Sequence, residues 1–277
     1  MSPSESTPEP TATEPAPLRG AATVVLVRDS ERGVEVFLQR RVKQMAFAGG
    51  VTVFPGGGVD PRDADADIDW TGPDAQWWAD AFHTDAKTAQ ALVCAAVRET
   101  FEECGVLLAT RPDGTPVDPQ SFATQRGRLV DKTLSLGEFL REQGLALRAD
   151  LLRPLAHWIT PIIEKRRYDT RFFLAALPEG QTADGHTTEA EVTAWATPRA
   201  ALDAWIANEH TLLPPTWAQL NHLAEFASVS ELLAADRLIE PIEPSVTPGA
   251  GLAGLKFEGS DRYFAVAADR SVPGLSR

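Results

Sequence analysis

The sequence predicts an α/β or α+β fold, and three patterns support this prediction. Segments 21–27, 34–40 and 168–177 have the length and apolar content of strands in a packed sheet. The run from about Thr88 to Cys104 contains no Gly or Pro and repeats apolar residues at helical spacing. The 277 residues, 43% of them hydrophobic, are enough for one large or two small domains with an ample core.

Strands and turns dominate the first part of the chain. Segments 21–27 and 34–40 are predicted to pair as an antiparallel hairpin around the turn 29–33. A short strand at 51–54 leads into Gly56-Gly57-Gly58, and glycines there allow the backbone to approach a ligand closely. Six Asp and no Lys between Asp60 and Asp74 predict an acidic surface loop.

The remainder of the chain is predicted to alternate helices with strands. Ser135 is a plausible helix cap because Glu138 follows three residues later. The predicted elements are a helical region over 126–152, strands at 155–162, 168–177 and 189–195, a helix from Thr197-Pro198 to 208, and a helical stretch over 217–233. Residues 240–277 contain four prolines and are predicted to wrap the surface, as a tail or a subunit contact.

Composition and charge argue against several classes of protein. A net charge of −13 disfavours nucleic acid as a partner, whereas an anionic small molecule remains possible because metal ions or a local basic patch can reverse the field in a site. Apolar runs fall short of the ~20 residues of a membrane span, and no secretory signal is visible. Cys94 and Cys104 lie ten apart on one helix, so they are predicted to be unpaired thiols of a cytoplasmic protein.

The acidic end of the long predicted helix is the strongest indication of a functional site. Glu99, Glu102 and Glu103 stand at i, i+3 and i+4, so their carboxylates crowd one face and repel each other. A divalent cation would remove this repulsion, and oxygen ligands suit Mg²⁺ or Mn²⁺. The alternative is a solvated acidic face. Gly105 is suited to end the helix in the left-handed conformation.

The residues around these glutamates resemble the Nudix box, Gly-x5-Glu-x7-Arg-Glu-U-x-Glu-Glu-x-Gly-U, where U is bulky and apolar. Arg98 to Val106 resembles its second half, and Val51 to Asp60 resembles the strand and Pro-Gly-Gly turn that lead into it. Counting from Gly57, the motif requires its Arg at position 71, which is occupied by Thr71. Arg98 stands 27 residues later, and Thr100 occupies the U position that follows Arg98 and Glu99. The first acidic slot falls on Asp60 or Asp63 across this insertion, or on the non-acidic Gln90.

An insertion at this place, followed by Ala95 to Leu108, resembles the Nudix branch that includes the peroxisomal coenzyme A diphosphatases of animals. The resemblance extends to 158–161, 167–173 and 213–216. It implies a Nudix α/β/α sandwich with a mixed sheet, a helical insertion and extra C-terminal helices. The expected organisation is a disordered tail at 1–17, a Nudix domain at 18–240 with its insertion at about 61–89, and an extension at 241–277. Trp70, Trp77 and Trp78 suggest that the insertion is either a flap or a dimer contact.

The resemblance also implies an activity, the metal-dependent hydrolysis of a nucleoside diphosphate derivative. Coenzyme A or acyl-coenzyme A is the expected substrate, with NADH or ADP-ribose as the alternative. A Nudix-fold module that binds a nucleotide without cleaving it, or a structural interaction protein, are the competing hypotheses. The expected partner is thus a small nucleotide derivative, without nucleic acid or membrane, and a homodimer is possible.

Site residues follow from the motif and from the positions of basic residues. The metal ligands are expected to be Glu99, Glu102, Glu103 and Glu189, with Glu103 as the principal one and Glu191 as the alternative to Glu189. Glu99 or Glu102 would accept a proton from water, and Arg98 would brace the cluster. The candidates for substrate contact are Gly56, Gly57, Gly58, Arg40 with Arg41 and Lys43, and Arg167 and Arg171 with Lys165 and Arg166, although solvated charge explains the basic residues almost as well.

Overall fold

A mixed eight-stranded sheet runs through the centre of the molecule. A computed structural model describes residues 15–42, 49–65, 67–187, 189–247 and 254–267; most of the predicted N-terminal tail and Lys43 lie outside them. The strands are β1 (Leu18–Ser30), β2 (Gly33–Arg41), β3 (Thr52–Val53), β4 (Gly56–Gly58), β5 (Trp70–Thr71), β6 (Ala109–Thr110), β7 (Ala146–Arg148), β8 (Leu152–Ile159), β9 (Arg167–Ala176), β10 (Ala190–Ala196), β11 (Pro241–Ile242), β12 (Ser245–Val246) and β13 (Leu255–Lys256).

The central sheet has the order β10-β2-β1-β9-β8-β11, with β1 parallel to β9 and β8 antiparallel to β9. The predicted β1–β2 hairpin is present, but its strands pair only near the turn, from Val27 with Val36 to Ser30 with Gly33. Beyond that point they separate. β3 pairs with β2 and β4 pairs with β1 in the gap, which places Gly56–Gly58 opposite 21–23.

Helices cover both faces of this sheet and form two hydrophobic cores. Alternate residues of β1 supply them, with Val24 in one core and Val25 in the other. The helices are α1 (Ala75–Phe82), α2 (Ala86–Cys104), α3 (Ala123–Val130) and α4 (Leu136–Gln143) on one face, and α5 (Pro198–Ile206), α6 (Pro214–Leu223), α7 (Val229–Ala234) and α8 (Ser260–Ala267) on the other. The predicted α/β/α sandwich is therefore confirmed.

Helix α2 has clear stop signals at both ends. The Asp85 side chain accepts a hydrogen bond from Thr88 N at 2.9 Å and caps the N-terminus. Gly105, at φ 69°, ends the helix in the left-handed conformation and donates to Phe101 O at 3.0 Å. This helix starts two residues before the predicted Thr88 and carries the three glutamates in its last two turns.

The insertion is part of the core, which differs from the flap or dimer contact expected from its tryptophans. Trp78, on α1, is fully buried and stacks on Phe82 with ring centroids 5.9 Å apart. It also packs against Phe173 of the central sheet at 5.4 Å. Trp77 is 45% exposed. The predicted acidic surface loop likewise turns inward at Asp63, which is only 2% exposed.

Two further expectations were wrong in their extent. The helical prediction over 126–152 overran, because Gly144 ends α4 at φ 59° and β7 and the start of β8 follow. The capping box of Ser135 and Glu138 is present. Within residues 240–277, the described part is integrated rather than a surface tail: β11 pairs with β8, and Tyr263 of α8 is fully buried and donates to Leu212 O at 2.8 Å.

Cys94 and Cys104 are both buried and unpaired. None of the helices in the described ranges combines the length and apolar character needed to cross a membrane.

Replacing Trp78 with Ala tests the core role of the insertion. We expect the free energy of unfolding to fall by about 3–5 kcal/mol, since a large buried ring is removed. The change Trp77→Ala, at a neighbour that is 45% exposed and packs on Trp78 with ring centroids 5.0 Å apart, should cost clearly less, about 1 kcal/mol. Urea unfolding followed by circular dichroism measures both, and equal losses would contradict an inward-facing insertion.

Candidate functional site

A cavity of about 600 Å³ opens where the C-terminal half of α2 meets β4. All three predicted glutamates and the three glycines of β4 line it. The cavity continues along the face of the central sheet to α6 and to the C-terminal segment, where Pro244 and Leu255 are lining residues. Its size is in the range of small-molecule binding sites.

Arg98 is the hub of the acidic end of this cavity and is only 7% exposed. Its guanidinium donates to Glu99 Oε1 at 2.7 Å and to Glu102 Oε1 at 3.3 Å. It also donates to Gly58 O at 2.8 Å and to Asp63 Oδ2 at 3.1 Å. One buried cation therefore joins α2, β4 and the 3₁₀ turn Pro61–Asp65, and offsets the repulsion between Glu99 and Glu102.

Asp63 is the acid that reaches the second half of the motif across the insertion. Its carboxylate binds Arg98 and also accepts from Asp60 N at 2.9 Å. Asp60 instead binds the Arg62 side chain at 2.7 Å, which lowers the pKa of Asp60 to about 2. Gln90 lies two turns upstream of Arg98 on the same helix. Of the three sequence candidates for the first acidic slot, Asp63 is the one with an ion pair to Arg98.

Glu103 is 5% exposed and has no cation among its hydrogen-bond donors in the described chain. Its Oε2 accepts from Gly56 N at 2.8 Å and from the Gln39 side-chain amide. Burial, with the nearby Glu99 charge adding to it, raises the pKa of Glu103 to about 8. This carboxylate would thus gain most from a cation supplied by a ligand.

Glu99 lies against the glycine strand. A methyl group on Gly57 would be 2.6 Å from Glu99 Cδ, so this approach requires glycine or a displaced Glu99. Burial raises the pKa of Glu99 to about 7, even though Arg98 opposes this shift. Burial also raises the pKa of Glu102, again against the effect of Arg98.

The donor set suits a divalent cation by its chemistry, although it is not preassembled. In the described ranges, no group of three or more His, Cys, Asp or Glu is gathered closely enough to hold a metal ion. The available donors are carboxylate oxygens, which hard cations prefer. Beside them, Gln39 Oε1 is buried without a hydrogen-bond partner among the described residues, and it is a further oxygen donor.

The loop after β9 brings Glu189 to this site. Asp184 N donates to Cys104 O at 2.8 Å, and the Asp184 carboxylate binds Arg126 at 2.7 Å. Arg126 also donates to Glu102 O at 3.1 Å, so these hydrogen bonds hold the loop against the end of α2.

Glu189 lines the cavity and pairs with Arg41 at 3.4 Å. The charge of Glu189 contributes to the raised pKa of both Glu99 and Glu103.

The basic residues expected to hold phosphate are mostly elsewhere, and this corrects the sequence assignment. Arg167 and Arg171 are buried, and their side chains pair with Glu243 at 2.7 Å and with Asp169. Because side chains alternate along a strand, Tyr168 and Thr170 line the cavity instead. Arg40 pairs with Glu191 at 3.6 Å, whereas its neighbour Arg41 is a lining residue.

Two other cations, Arg62 and Lys132, line the cavity beside Glu102 and were missed from the sequence. Lys132 has φ 57°, a conformation that non-glycine residues seldom adopt, and Arg62 donates to its carbonyl at 3.3 Å. Burial raises the pKa of Glu102, and the charge of Lys132 opposes this rise, although less than Arg98 does. A single Lys after α3 has no sequence signal, since only the fold brings it to the motif.

Comparison with known proteins gives one consistent family. The family model described as the NUDT19 Nudix domain matches residues 82–223, slightly more than half of the chain. A crystal structure of a NUDIX hydrolase from Alicyclobacillus acidocaldarius superposes with a TM-score of 0.69 at 30% identity, covering 80% of this chain and 98% of the other.

Curated relatives are similar over much of the chain. The acyl-coenzyme A diphosphatase NUDT19 of Homo sapiens is 29% identical over 76% of this chain and 66% of its own length. The protein of the same name from Xenopus laevis is 24% identical over 72% of this chain and 62% of its own length. The match thus spans less than two thirds of either relative.

The raised pKa values predict that the metal-free protein loses stability as the pH rises. An unfolded Glu has a pKa of 4.5, whereas the folded-state pKa is about 7 for Glu99 and about 8 for Glu103. Between these values, the folded state retains protons that the unfolded state has released. The free energy of unfolding should therefore fall with pH in this window, by up to about 1.4 kcal/mol per pH unit for each carboxyl.

Urea titrations from pH 5.5 to 8.5 with a chelator measure this slope. Glu103→Gln should flatten it and should be more stable than the wild type at pH 8. Glu142→Gln, at a 51% exposed carboxylate on α4, serves as the matched control and should leave the slope unchanged. Stability that rises over this window in the wild type would contradict the assigned pKa directions.

Proposed function

The chain belongs to the Nudix hydrolase family, in the group described by the NUDT19 Nudix domain, and from this we propose that it hydrolyses the diphosphate linkage of a nucleoside diphosphate derivative. One observation carries the proposal: the buried carboxylate of Glu103 and the 12% exposed carboxylate of Glu99 face a cavity large enough for such a molecule. Enzymes commonly shift the pKa values of their acids and bases by burial in this way.

Nudix hydrolases use divalent metal ions, and we propose Mg²⁺ or Mn²⁺ for this one. Glu103 would be the principal ligand, with Glu99, Glu102 and Glu189 as the other candidates. A cation bound there would neutralise charge on the diphosphate and lower the pKa of a bound water. Gln39 and Gly56 N would orient the Glu103 carboxylate, since both already donate hydrogen bonds to it.

The chain's own residues supply the remaining chemistry. Glu99 is our first candidate to accept the proton of an attacking water. In the metal-free protein, burial raises the pKa of Glu99 to about 7. Glu102 is the alternative base. Arg98 would position both, because it already holds their carboxylates and is itself buried. The Arg98 side chain is thus a brace rather than a direct contact to substrate.

Arg41, Arg62 and Lys132 are the candidates for contacting phosphate groups. They line the cavity beside the acidic residues, so they could neutralise phosphate oxygens that the carboxylates would otherwise repel. The glycines Gly56, Gly57 and Gly58 leave room for the same groups. This assignment replaces the roles expected for Arg40, Arg167 and Arg171.

Coenzyme A or acyl-coenzyme A is the proposed substrate. The support comes from the names of the similar human and Xenopus laevis proteins, which are acyl-coenzyme A diphosphatases. Because the chain spans less than two thirds of their length, the substrate is a proposal that product analysis must test.

The first experiment is incubation with coenzyme A, acetyl-coenzyme A, NADH or ADP-ribose and Mg²⁺ or Mn²⁺, followed by mass-resolved chromatography. We expect 3′,5′-ADP and 4′-phosphopantetheine from coenzyme A. Glu103→Gln should lower kcat/KM by at least about 10²-fold, since it removes the charge of the principal ligand. The exposed Glu142→Gln should retain the wild-type rate.

Other products would change the proposal in defined ways. AMP from NADH or ADP-ribose, with coenzyme A left intact, would keep the chemistry and replace the substrate. Binding of all four compounds without any metal-dependent product would favour a nucleotide-binding module.

Replacing Lys132 with Asn tests the phosphate contact. Asn tolerates the left-handed conformation of this position while removing the charge. We expect KM for the preferred diphosphate to rise about tenfold with little change in kcat, because a charge-assisted contact to the ground state is lost. Arg128→Gln, on the preceding helix and paired with Glu142 at 3.8 Å, is the control. An unchanged KM for Lys132→Asn would remove this residue from the site.

A further inference from the structure

Arg126, on α3, joins three segments of the chain beside the acidic end of the cavity. Its Nε donates to the carbonyl of Glu102, in the last turn of α2, at 3.1 Å. Its two terminal nitrogens donate to the two carboxylate oxygens of Asp184 at 2.7 and 2.9 Å. The two side chains of this ion pair are only 13% and 15% exposed. A bidentate pair of this kind has a fixed geometry as well as a favourable energy.

The ion pair lies directly against the end of α2. A methyl group on Gly105 would be 2.5 Å from Asp184 Oδ2 and 2.8 Å from Arg126 Nη1. Asp184 N also donates to Cys104 O at 2.8 Å. The loop after β9 and the end of α2 are therefore in contact, and the Arg126–Asp184 pair holds them at a defined distance.

A series of hydrogen bonds leads from Asp184 to Glu189. His186 N donates to Asp184 Oδ1 at 3.0 Å, and Thr187 N donates to Gly185 O at 2.9 Å. Thr187 Oγ1 then accepts from Glu189 N at 3.2 Å. Both Thr187 and Glu189 line the cavity. The position of the loop therefore affects where the Glu189 carboxylate stands relative to the glutamates of α2.

The other supports of Glu189 hold its backbone better than its carboxylate. Its carbonyl accepts from Val42 N at 2.9 Å. Its side chain is 51% exposed and has Arg41 as an ion-pair partner at 3.4 Å, and a pair this exposed contributes little. Across the described ranges, no three acidic or other ligand side chains are already gathered for a metal ion. Small displacements of the loop therefore decide whether Glu189 can join the glutamates of α2 on one cation.

We infer that Arg126 is a positioning residue for the metal ligands: together with Asp184, it holds the loop so that Glu189 and the glutamates of α2 can bind the same cation. The inference rests on the proposed function, because it takes these glutamates as ligands. Arg98 and Arg126 then have complementary tasks. Arg98 holds carboxylates of α2 directly, whereas Arg126 holds the backbone of α2 at Glu102 and the loop beside it.

Replacing Arg126 separates the effect of its geometry from that of its charge, because the two have opposite signs. Removing a nearby positive charge favours a bound cation, whereas removing the brace disfavours it. We expect Arg126→Gln to raise the Kd for Mn²⁺ about tenfold, as is usual when a partner behind a ligand is lost. Arg126→Lys keeps the charge but lacks the fork that binds both oxygens of Asp184, so it should also raise Kd.

Arg128→Gln is the matched control, since it removes the same charge two residues later on α3 from a side chain that is 45% exposed. Its Kd for Mn²⁺ should stay within about twofold of the wild-type value, because exposed charges are screened. The signal of free Mn²⁺ in electron paramagnetic resonance gives Kd without any turnover. Asp184→Asn tests the same brace from the loop, so the test does not depend on Arg126→Gln being folded.

A double-mutant cycle with Glu189→Gln distinguishes positioning from a general loss of structure. Glu189→Gln alone should raise Kd for Mn²⁺ about tenfold, since a ligand charge is removed. Adding Arg126→Gln or Asp184→Asn to it should then change Kd less than about twofold, because the residue to be positioned is already gone. Equal tenfold losses with and without Glu189, or an unchanged Kd in Arg126→Gln, would overturn the inference.

The Mn²⁺ measurements also separate this inference from the proposed activity. The expected coupling between Arg126 and Glu189 would uphold the brace even if no diphosphate were hydrolysed. Metal-dependent hydrolysis with a Kd for Mn²⁺ that does not respond to Arg126 would overturn the brace alone. A wild-type protein that binds no Mn²⁺ would overturn both the brace and the proposed metal site.

Discussion

The burial of several carboxylates around one guanidinium is the constraint on which the site depends. Arg98 holds acids from the same helix and from the turn before it, Asp63 among them, together with a carbonyl of β4. Glu103 is left to two neutral donors. Buried charge without an opposite charge is costly, so the rest of the fold must hold it in place. Capping of α2 by Asp85 and Gly105, and its packing in the core, provide that support.

The glycine strand follows from the same constraint. The short strand β4 can reach the carboxylates only because β1 and β2 separate and leave room for it. Gly56 has φ 155°, and a Cβ there would be 2.4 Å from Ala22 O, so this position must remain glycine. Its amide then reaches Glu103. The separation of the hairpin, the glycines and the buried acid are therefore one structural solution.

Most of the fold could be predicted from the sequence, because strand and helix signals are local. Clear patterns mark the strands of the β1–β2 hairpin, β9 and β10, the end of α2 at Gly105 and the capping box of α4 at Ser135. The predictions that were wrong concern features that depend on tertiary packing. Strand alternation turned Arg167 and Arg171 away from the cavity, and burial of Trp78 made the insertion part of the core. Lys132 could not be found, since its proximity to Glu102 exists only in three dimensions.

The boundaries of the family match show why one motif is not a whole site. Residues 82–223 include Arg98 and the three glutamates, but not Asp63 or the glycine strand, and not Pro244 or Leu255. The first group outside the match completes the acidic end through Arg98 and Glu103. The second group forms a wall at the opposite end of the same cavity. The motif therefore supplies one side of the acidic end, and segments before and after the match, brought together only by the fold, complete the cavity.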